Sequence, residues 1–378
     1  MSDETHDTAA DTDDEPMRAT RRSALRGASL AGLFAIGVGD ASARQVLAAA
    51  SAQRPDRQQS ADRESRPVTW ANFPRAHCHL TWQSTVEDGG FGQFDHLRSL
   101  VSIDEQFTIG LNRDTLYSFG VFDLTEPVTI DLPDAGDRYL SMNVQNEDQY
   151  GTLCVYDPGP YTITQEMVGT RYAGAAIRIF VDPDDPTDLK RASRLQDEIG
   201  VAQSSAGSFE IPNWDRRSHD RLNDALNTVV ATVDDFSGAY GDVGRVDPVK
   251  FFLFSTSGWT GVPQPSEAVF FFRTPARNDG DTPHTLTVED VPVDGFWSVT
   301  VYNRDLYLEE NQYDAYSVND VTTERNADGS VTIHFGGDPD QPNFLYTPEE
   351  WNYVVRLYRP REPILDGSYR FPESKPVQ

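Results

Sequence analysis

The sequence predicts a mainly β protein with helical additions: two β-sandwich or jelly-roll-like modules joined by a helical connector. Three observations predict it. From Trp70 onward apolar and polar residues alternate with period two in run after run, the mark of strands with one buried face. Turns rich in Gly, Pro and Asp separate the runs, as at Asp157-Pro158-Gly159-Pro160 and Asp328-Gly329. One strand pattern also occurs twice. Tyr139–Asp148 (YLSMNVQNED) aligns without gaps on Phe296–Asp305 (FWSVTVYNRD), with Ser, Val, Asn and Asp in common and apolar residues at the inward positions.

Taken in order, the alternation falls on Val128, Ile130 and Leu132; on Leu140, Met142 and Val144; and on Ile177, Ile179 and Val181, with polar Arg178 between. It returns at Trp297, Val299 and Val301, at Val331, Ile333 and Phe335, and at Tyr353, Val355 and Leu357. Each copy of the repeated strand follows a shorter strand and a Pro/Asp/Gly turn (128–136 and 286–295). The repeat therefore reads as an internal duplication of a sandwich module. Asp328-Gly329, between 322–325 and 331–335, reads as a hairpin turn. Helical spacing is sparser. One helix starts at Asn72 with Pro74 in its first turn, and a second starts near Thr187 with Leu189, Ala192, Leu195 and Ile199 on one face. A third runs from Ser218 through Leu222, Leu226, Val229, Val233 and Phe236, and marks the connector. The expected division is an amino-terminal module over 70–200, a connector over 201–250 and a carboxy-terminal module over 251–378.

The amino-terminal segment carries a different signal. Thr20-Arg21-Arg22-Ser23-Ala24-Leu25 precedes an apolar stretch from Ala28 to Val38, and small-residue sites follow at Ala41-Ser42-Ala43 and Ala48-Ala49-Ala50. A charged start, a short apolar core and an Ala-x-Ala site make a secretory signal, and the paired arginines make it twin-arginine type. Such a signal over 1–52, with a polar lead-in over 53–69, implies the twin-arginine export machinery as a partner. The expected location is extracellular or at the cell surface. The apolar stretch is too short to span a bilayer, which takes about 20 residues, so no stable membrane insertion is expected after cleavage. An uncleaved anchor is the alternative.

Composition narrows the setting. The 378 residues include 60 acidic and 32 basic side chains, for a formal charge of −28. The acids are 41 Asp and 19 Glu, and the bases 29 Arg and only 3 Lys (Lys190, Lys250, Lys375). That double skew resembles proteins of extreme halophiles, where a Debye length of about 3 Å at molar salt quiets a strongly acidic surface. It excludes non-specific binding to nucleic acid, which such a charge repels.

The residues also resemble a known pairing, the domains of unknown function 1254 (amino-terminal) and 1214 (carboxy-terminal). Asn112-Arg-Asp-Thr-Leu-Tyr117, Asp123-Leu124, Leu132-Pro133 and Arg138-Tyr139 carry the first. Val291-Pro-Val-Asp-Gly-Phe-Trp-Ser298, Val301-Tyr-Asn303, Phe335-Gly-Gly337, Trp351-Asn352 and Arg356-Leu-Tyr-Arg-Pro360 carry the second. The resemblance runs from about Phe73 to Phe371 and implies two β-rich modules, with no established activity. Gly258-Trp-Thr-Gly-Val-Pro263 departs from the family's Gly-Trp-Gly-Gly-Leu-Pro, and His77-Cys78-His79 stands where relatives carry an acidic residue.

No nucleophile elbow, phosphate-binding loop, dinucleotide fingerprint or His-Glu-x-x-His occurs, and no motif indicates a cofactor. The candidate catalytic residues are Asn112, Asp114 and Tyr117, with Asp114 as acid, base or ligand and Arg113 tuning its charge; the bland reading is a capped turn with an Arg–carboxylate pair. Trp259 and Trp297 are candidates to line a binding cleft, although aromatics at strand spacing are more often core. Arg356 and Arg359, near Tyr358, are candidates for an anion clamp, with pairing to surface Asp as the alternative. His77 and His79 would share a metal on a strand but diverge by about 200° on a helix. Cys78 and Cys154 fit one disulfide or two separate thiols, and Cys78 beside His is a weaker candidate nucleophile. The leading expectation is an exported hydrolase of a small molecule working between the modules; the alternative is a non-catalytic surface or secreted binding protein. Dialysis from molar to low salt should remove structure, and an unchanged circular-dichroism spectrum would reject the salt-adapted reading.

Overall fold

The computed structural model describes residues 65–377 except 101, 105, 107–109, 231, 234–237 and 258–265. The leader, most of the lead-in, Phe236 and Trp259 therefore lie outside the described residues. The amino-terminal module is a sandwich of two sheets. Its main sheet has the order β1 (Phe94–Leu97), β2 (Thr115–Asp123), β7 (Tyr172–Phe180), β4 (Leu140–Asn146), β5 (Gly151–Val155). Its second sheet has the order β6 (Gly159–Ile163), β3 (Val128–Leu132), β8 (Gly200–Gln203). Leu116, Met142, Val144, Ile177 and Ile179 from the first meet Val128, Ile130, Leu132 and Ile163 from the second in one dry core.

The carboxy-terminal module repeats this plan. Its main sheet has the order β12 (Ser317–Asn319), β11 (Trp297–Tyr302), β15 (Asn352–Tyr358), β9 (Ala268–Arg273). Its second sheet has the order β14 (Phe344–Leu345), β13 (Val331–Phe335), β10 (His284–Val288), β16 (Lys375–Pro376). From β2 to β8 and from β9 to β16 the chain visits the two sheets in the same sequence, with β14 as the one addition. The registers coincide as well. Ser141 lies opposite Arg178 and Ser298 opposite Arg356. Thr115 pairs with Phe180 as Ala268 pairs with Tyr358. The Val181 N–H donates to the Asp114 carbonyl (2.8 Å) as the Arg359 N–H donates to that of Glu267 (2.7 Å). The duplication legible in the repeated strand is thus carried by both modules.

The sequence pattern implied strands with one buried face, but β7, β11 and β15 are buried on both. The reason lies in what covers their outer side. Helix α1 (Phe73–Glu87) lays Cys78 and Trp82 against Phe119, Val121 and Ala176 of the first main sheet. The rest of that face meets the second module's main sheet through Phe180, Phe270, Phe296 and Tyr358, with Tyr139 beside them. The two modules therefore pack through the outer faces of their main sheets. Arg178 and Arg356, which alternate outward, end up sealed between sheets, each 1% exposed. Arg356 accordingly does not pair with surface Asp.

Helices fill the flanks. A single turn, α2 (Gln165–Val168), follows β6. Helix α3 (Pro186–Asp197) starts just before Thr187 because the Asp185 carboxylate accepts from the Thr187 N–H (2.8 Å). In the connector, α4 (Arg216–Val230) begins at Arg216, where Asp215 accepts from the Arg217 and Ser218 N–H groups. Leu226 of α4 packs on Phe73, Ala76 and Leu80 of α1, while Val230 and α5 (Pro248–Phe254) reach the aromatic cluster between the modules. The connector thus touches both halves of the interface. The turn expected at Asp328-Gly329 forms, the Asn326 N–H donating to the Ser330 carbonyl (2.8 Å) and the Gly329 N–H to that of Asn326 (2.9 Å), but 322–325 is not a strand and no hairpin ladder follows. Asn319 accepts from the Val321 and Thr322 N–H groups and turns the chain at the end of β12, and β13 pairs with β10 and β14 instead.

One glycine is dictated by this layering. A Cβ on Gly174 would lie 2.7–2.8 Å from the Trp82 indole, and Trp82 is wholly buried. Gly174→Val should cost about 1–3 kcal/mol by overpacking and loosen α1 first, a change readable as a lower Tm and faster amide exchange in residues 73–87.

Candidate functional site

The interface between the modules consists of two matched rows of side chains, one running across each main sheet. In the first module the row is Tyr117, Arg178 and Ser141 on β2, β7 and β4, with Asn143 opposite Cys154 on β5 one step along. In the second it is Phe270, Arg356, Ser298 and Asn319 on β9, β15, β11 and β12. Each row is entered by a carboxylate of the opposite module, set on the residue that precedes the first strand of the repeat: Asp114 before β2, and Glu267 before β9.

Asp114 crosses into the second row. Its Oδ2 accepts from the Ser298 hydroxyl at 2.7 Å, and both residues are fully buried. Burial pushes the Asp114 carboxyl above its ordinary value, while Arg356, Ser298 and the side-chain amide of Asn319 pull it back down. Oδ1 makes no hydrogen bond of normal geometry although that amide faces it. Arg356 donates to the Thr300 hydroxyl (2.9 Å), the Gly110 carbonyl (2.6 Å) and the Tyr302 hydroxyl (2.6 Å), and Tyr302 donates onward to the Leu111 carbonyl (2.6 Å). The second row is thereby closed, with its anion built in.

The first row is lined differently. Arg178 lies over the Tyr117 ring (5.2 Å), with the phenols of Tyr358 and Tyr139 beside it. Asn112 sits above them. Its Oδ1 accepts from the Asp114 N–H (3.1 Å) and the Thr115 hydroxyl (3.3 Å), which orients the amide and leaves Nδ2 to donate to the Tyr117 (2.7 Å) and Tyr358 (3.3 Å) hydroxyl oxygens. Each phenol keeps its own O–H to donate. On the other flank Cys154 donates to Tyr156 (3.4 Å), Tyr156 donates through a very short hydrogen bond to Glu267, and Ser266 donates to the same carboxylate (3.2 Å). Arg359 stacks over the Tyr156 ring (4.5 Å). Tyr117, Tyr139, Cys154, Tyr156, Glu267 and Arg359 are half-buried, whereas the Asp114 row is sealed.

The structure therefore brings Asn112, Asp114 and Tyr117 together, yet separates their surroundings. Tyr117 and Asn112 belong to the half-buried row, and Asp114 to the closed one. Arg113 stacks over Tyr316 (5.0 Å), and burial of Asp114 opposes any easy ionisation there. Trp297 faces the opposite way, into the second sandwich core against Phe371. Of the anion-clamp pair, Arg356 is committed to the closed row, and Arg359 to the rim of the other. Arg178, Ser141, Tyr156 and Glu267 were not singled out by sequence. Their signal was an arginine inside an apolar run, Ile177-Arg178-Ile179, matched by Val355-Arg356-Leu357.

His77 and His79 diverge on α1. His77 shares a hydrogen bond with His219 (2.8 Å), which also bonds Asp220 (2.8 Å). His79 Nδ1 accepts from the Trp214 indole N–H (3.2 Å), so its Nε2 carries the proton given to Glu147 (2.8 Å). Among the described residues no group of three or more His, Cys, Asp or Glu side chains could hold a metal. Both cysteines are free; burial pushes the Cys78 thiol well up and that of Cys154 up to about 12, far from the range of a thiolate nucleophile.

Comparison with known proteins fits this picture. Residues 91–203 match the family described as Protein of unknown function (DUF1254), and residues 273–362 match Protein of unknown function (DUF1214). The VPA0106 protein of Vibrio parahaemolyticus shares the fold at a TM-score of 0.64 and 16% identity, over 89% of this chain and 100% of that one. A putative uncharacterised protein from Burkholderia cenocepacia aligns at a TM-score of 0.46 and 17% identity, over 82% of this chain and 87% of that one. No curated protein matches the sequence.

Because the folded-state pKa of Asp114 lies above the ordinary 3.8, the folded chain holds this proton more tightly than the unfolded one. The contribution of Asp114 to stability therefore falls as pH rises from 3.8 through the folded value. Asp188, drawn below its ordinary value chiefly by Arg138, behaves oppositely and loses its contribution as pH falls. Asp114→Asn, a mimic of the protonated acid, should gain in Tm relative to wild type as pH rises from 4 to 7. A difference that is flat across that range, or that moves the other way, would refute a strained buried carboxylate.

Proposed function

We propose that this protein, a chain that carries the paired DUF1254 and DUF1214 domains in that order, is an exported hydrolase of a small molecule. Its working site is the Tyr117–Arg178–Tyr139 row with the Glu267–Tyr156 pair at its rim. The observation that carries the reading is the contrast between two rows of common origin. One is closed by its own carboxylate and fully buried. The other gathers the Tyr117, Tyr139 and Tyr156 phenols and the Glu267 carboxylate in half-buried positions around the buried Arg178 guanidinium. Convergent polar groups against an aromatic wall, at a junction of modules, are the usual make-up of a small-molecule site.

The chemistry follows from the donors and acceptors. Among the described residues the Glu267 carboxylate accepts from the neutral hydroxyls of Tyr156 and Ser266. It acts as general base, taking a proton from a water that attacks the substrate carbonyl. The oxyanion that forms is met by phenol O–H groups, dipoles already fixed by packing. When the carbon–heteroatom bond breaks, the leaving group takes the proton back from Glu267. Twin-arginine export would deliver this assembly already folded, and the acidic, Lys-poor surface suits molar salt.

A non-catalytic binding role has one observation in its favour: burial pushes the Cys154 thiol and the Tyr139 and Tyr156 hydroxyls upward, away from the range of an activated nucleophile. An ester and amide substrate panel in high salt separates the two. Glu267→Gln should cut kcat about 10²–10⁴-fold, the usual worth of a general base, while Asp114→Asn at pH 7 should retain activity. Absence of turnover for every substrate with wild type, or equal rates for wild type and Glu267→Gln, would end the hydrolase reading.

A further inference from the structure

The closed row contains a template for what the other row takes. On β11, Ser298 gives its hydroxyl proton to the Asp114 carboxylate, with Arg356 opposite Ser298 across the strand pair and Asn319 on the far side. On β4, Ser141 stands in the same register opposite Arg178, with Asn143 on the same face two residues on. The residue that corresponds to Asp114 is Glu267, but its oxygens go to Tyr156 and Ser266. Ser141 is fully buried and Asn143 is 7% exposed. Ser141 acts on the Tyr139 phenol, but no hydrogen bond of normal geometry satisfies its Oγ, and the Asn143 Nδ2 is likewise without a partner.

We propose that Ser141, Asn143 and Arg178 form a subsite for an organic carboxylate, held as the Asp114 carboxylate is held by Ser298 beside Arg356. This deepens the preceding reading and rests on it for the location of the working site. Two features select the class. A hydroxyl, an amide N–H and a planar guanidinium match the two oxygens of a monoanion. A phosphate brings a third oxygen and a second charge that these donors leave unmet. The wall beside the row is aromatic: Tyr139 meets Phe296 edge-on (5.2 Å), and Phe296 stacks on Tyr358 (4.3 Å). The body attached to the carboxylate is therefore apolar, as in an aryl or alkyl acid.

The test uses the purified protein in a constant high-salt buffer, with benzoate, acetate and inorganic phosphate as probes. Benzoate well above its Kd should raise the Tm of wild type by roughly 2–4 °C, acetate less, and phosphate not at all. Ser141→Ala should weaken benzoate binding about tenfold, measured by titration calorimetry, with little change in unliganded Tm because the lost hydroxyl makes no hydrogen bond of normal geometry. Asn143→Ala should act in the same direction, which keeps the test informative if one variant fails to fold. Ser298→Ala is the mirror control: it should lower unliganded Tm and leave the benzoate response intact. A phosphate response equal to that of benzoate, equal benzoate affinity in wild type and Ser141→Ala, or no response to either carboxylate would overturn the subsite. Benzoate binding without turnover of any ester or amide would overturn the hydrolase reading alone. Turnover of a carboxylate-bearing ester, unaffected by Ser141→Ala, would overturn the carboxylate subsite alone.

Discussion

Two guanidinium groups buried between two sheets are the constraint on which this structure depends. A charge removed from water costs several kcal/mol unless its donors are met by acceptors and a counter-charge lies near. Arg356 gives its two terminal nitrogens to Thr300, Tyr302 and the Gly110 carbonyl and has the Asp114 carboxylate near it, while its Nε meets no acceptor among the described residues. Two of those partners, Thr300 and Tyr302, come from its own module, and the other two, Gly110 and Asp114, come from the segment of the other module that leads into β2. The modules therefore cannot separate without exposing Arg356 to water and Asp114 to the loss of its hydrogen bond. The interface is held by matched polar groups inside an aromatic frame, so its geometry is more tightly specified than apolar contact alone would make it.

The same constraint explains how duplicated modules come to differ. Each copy presents an arginine row and each lends a carboxylate to the other, so the starting arrangement is reciprocal. Reciprocity is broken by one methylene and its neighbours. Asp114 is short and lands on Ser298, whereas Glu267 is longer and turns to Tyr156 at the rim. One row thereby closes on the carboxylate it receives, and the other does not. Duplicated folds offer this route generally, because a site has to be altered in only one copy while the other keeps the pair together.

Much of the fold was legible because strand alternation depends on local side-chain order. The runs at 128–132, 140–146, 297–302, 331–335 and 352–358 are strands in the structure, and the likeness of Tyr139–Asp148 to Phe296–Asp305 extends to the topology of whole modules. The site was less legible. Period two distinguishes two faces of a strand but not water from another protein face, so Ser141, Arg178 and Arg356 read as solvent-facing. Trp297 was drawn toward a binding role by its ring, although it sits on the same inward series as Val299 and Val301. Asp114 was visible as chemistry-bearing, but its partners Ser298 and Arg356 lie far along the chain, and no local spacing encodes that meeting. The hairpin expected at Asp328-Gly329 failed for a related reason: the turn is local, while the partner of β13 is chosen by the sheet.

The interior arginines also give the composition a second meaning. A molecule of net charge −28 repels an anionic ligand at low ionic strength, and at molar salt a Debye length of about 3 Å removes that repulsion at the surface. Salt acts much less on groups sealed between sheets, so the attraction of a buried guanidinium survives conditions that erase the surface field. An acidic exterior and a cationic, hydrogen-bonded interior are then compatible within one protein. The preference for Arg over Lys follows the same logic. A planar fork spreads its charge over several fixed donors and can be satisfied by phenols, hydroxyls and carbonyls, whereas a buried ammonium would sooner surrender its proton. With only 3 Lys in the chain and 29 Arg, the residue type that tolerates burial is also the one that the composition supplies.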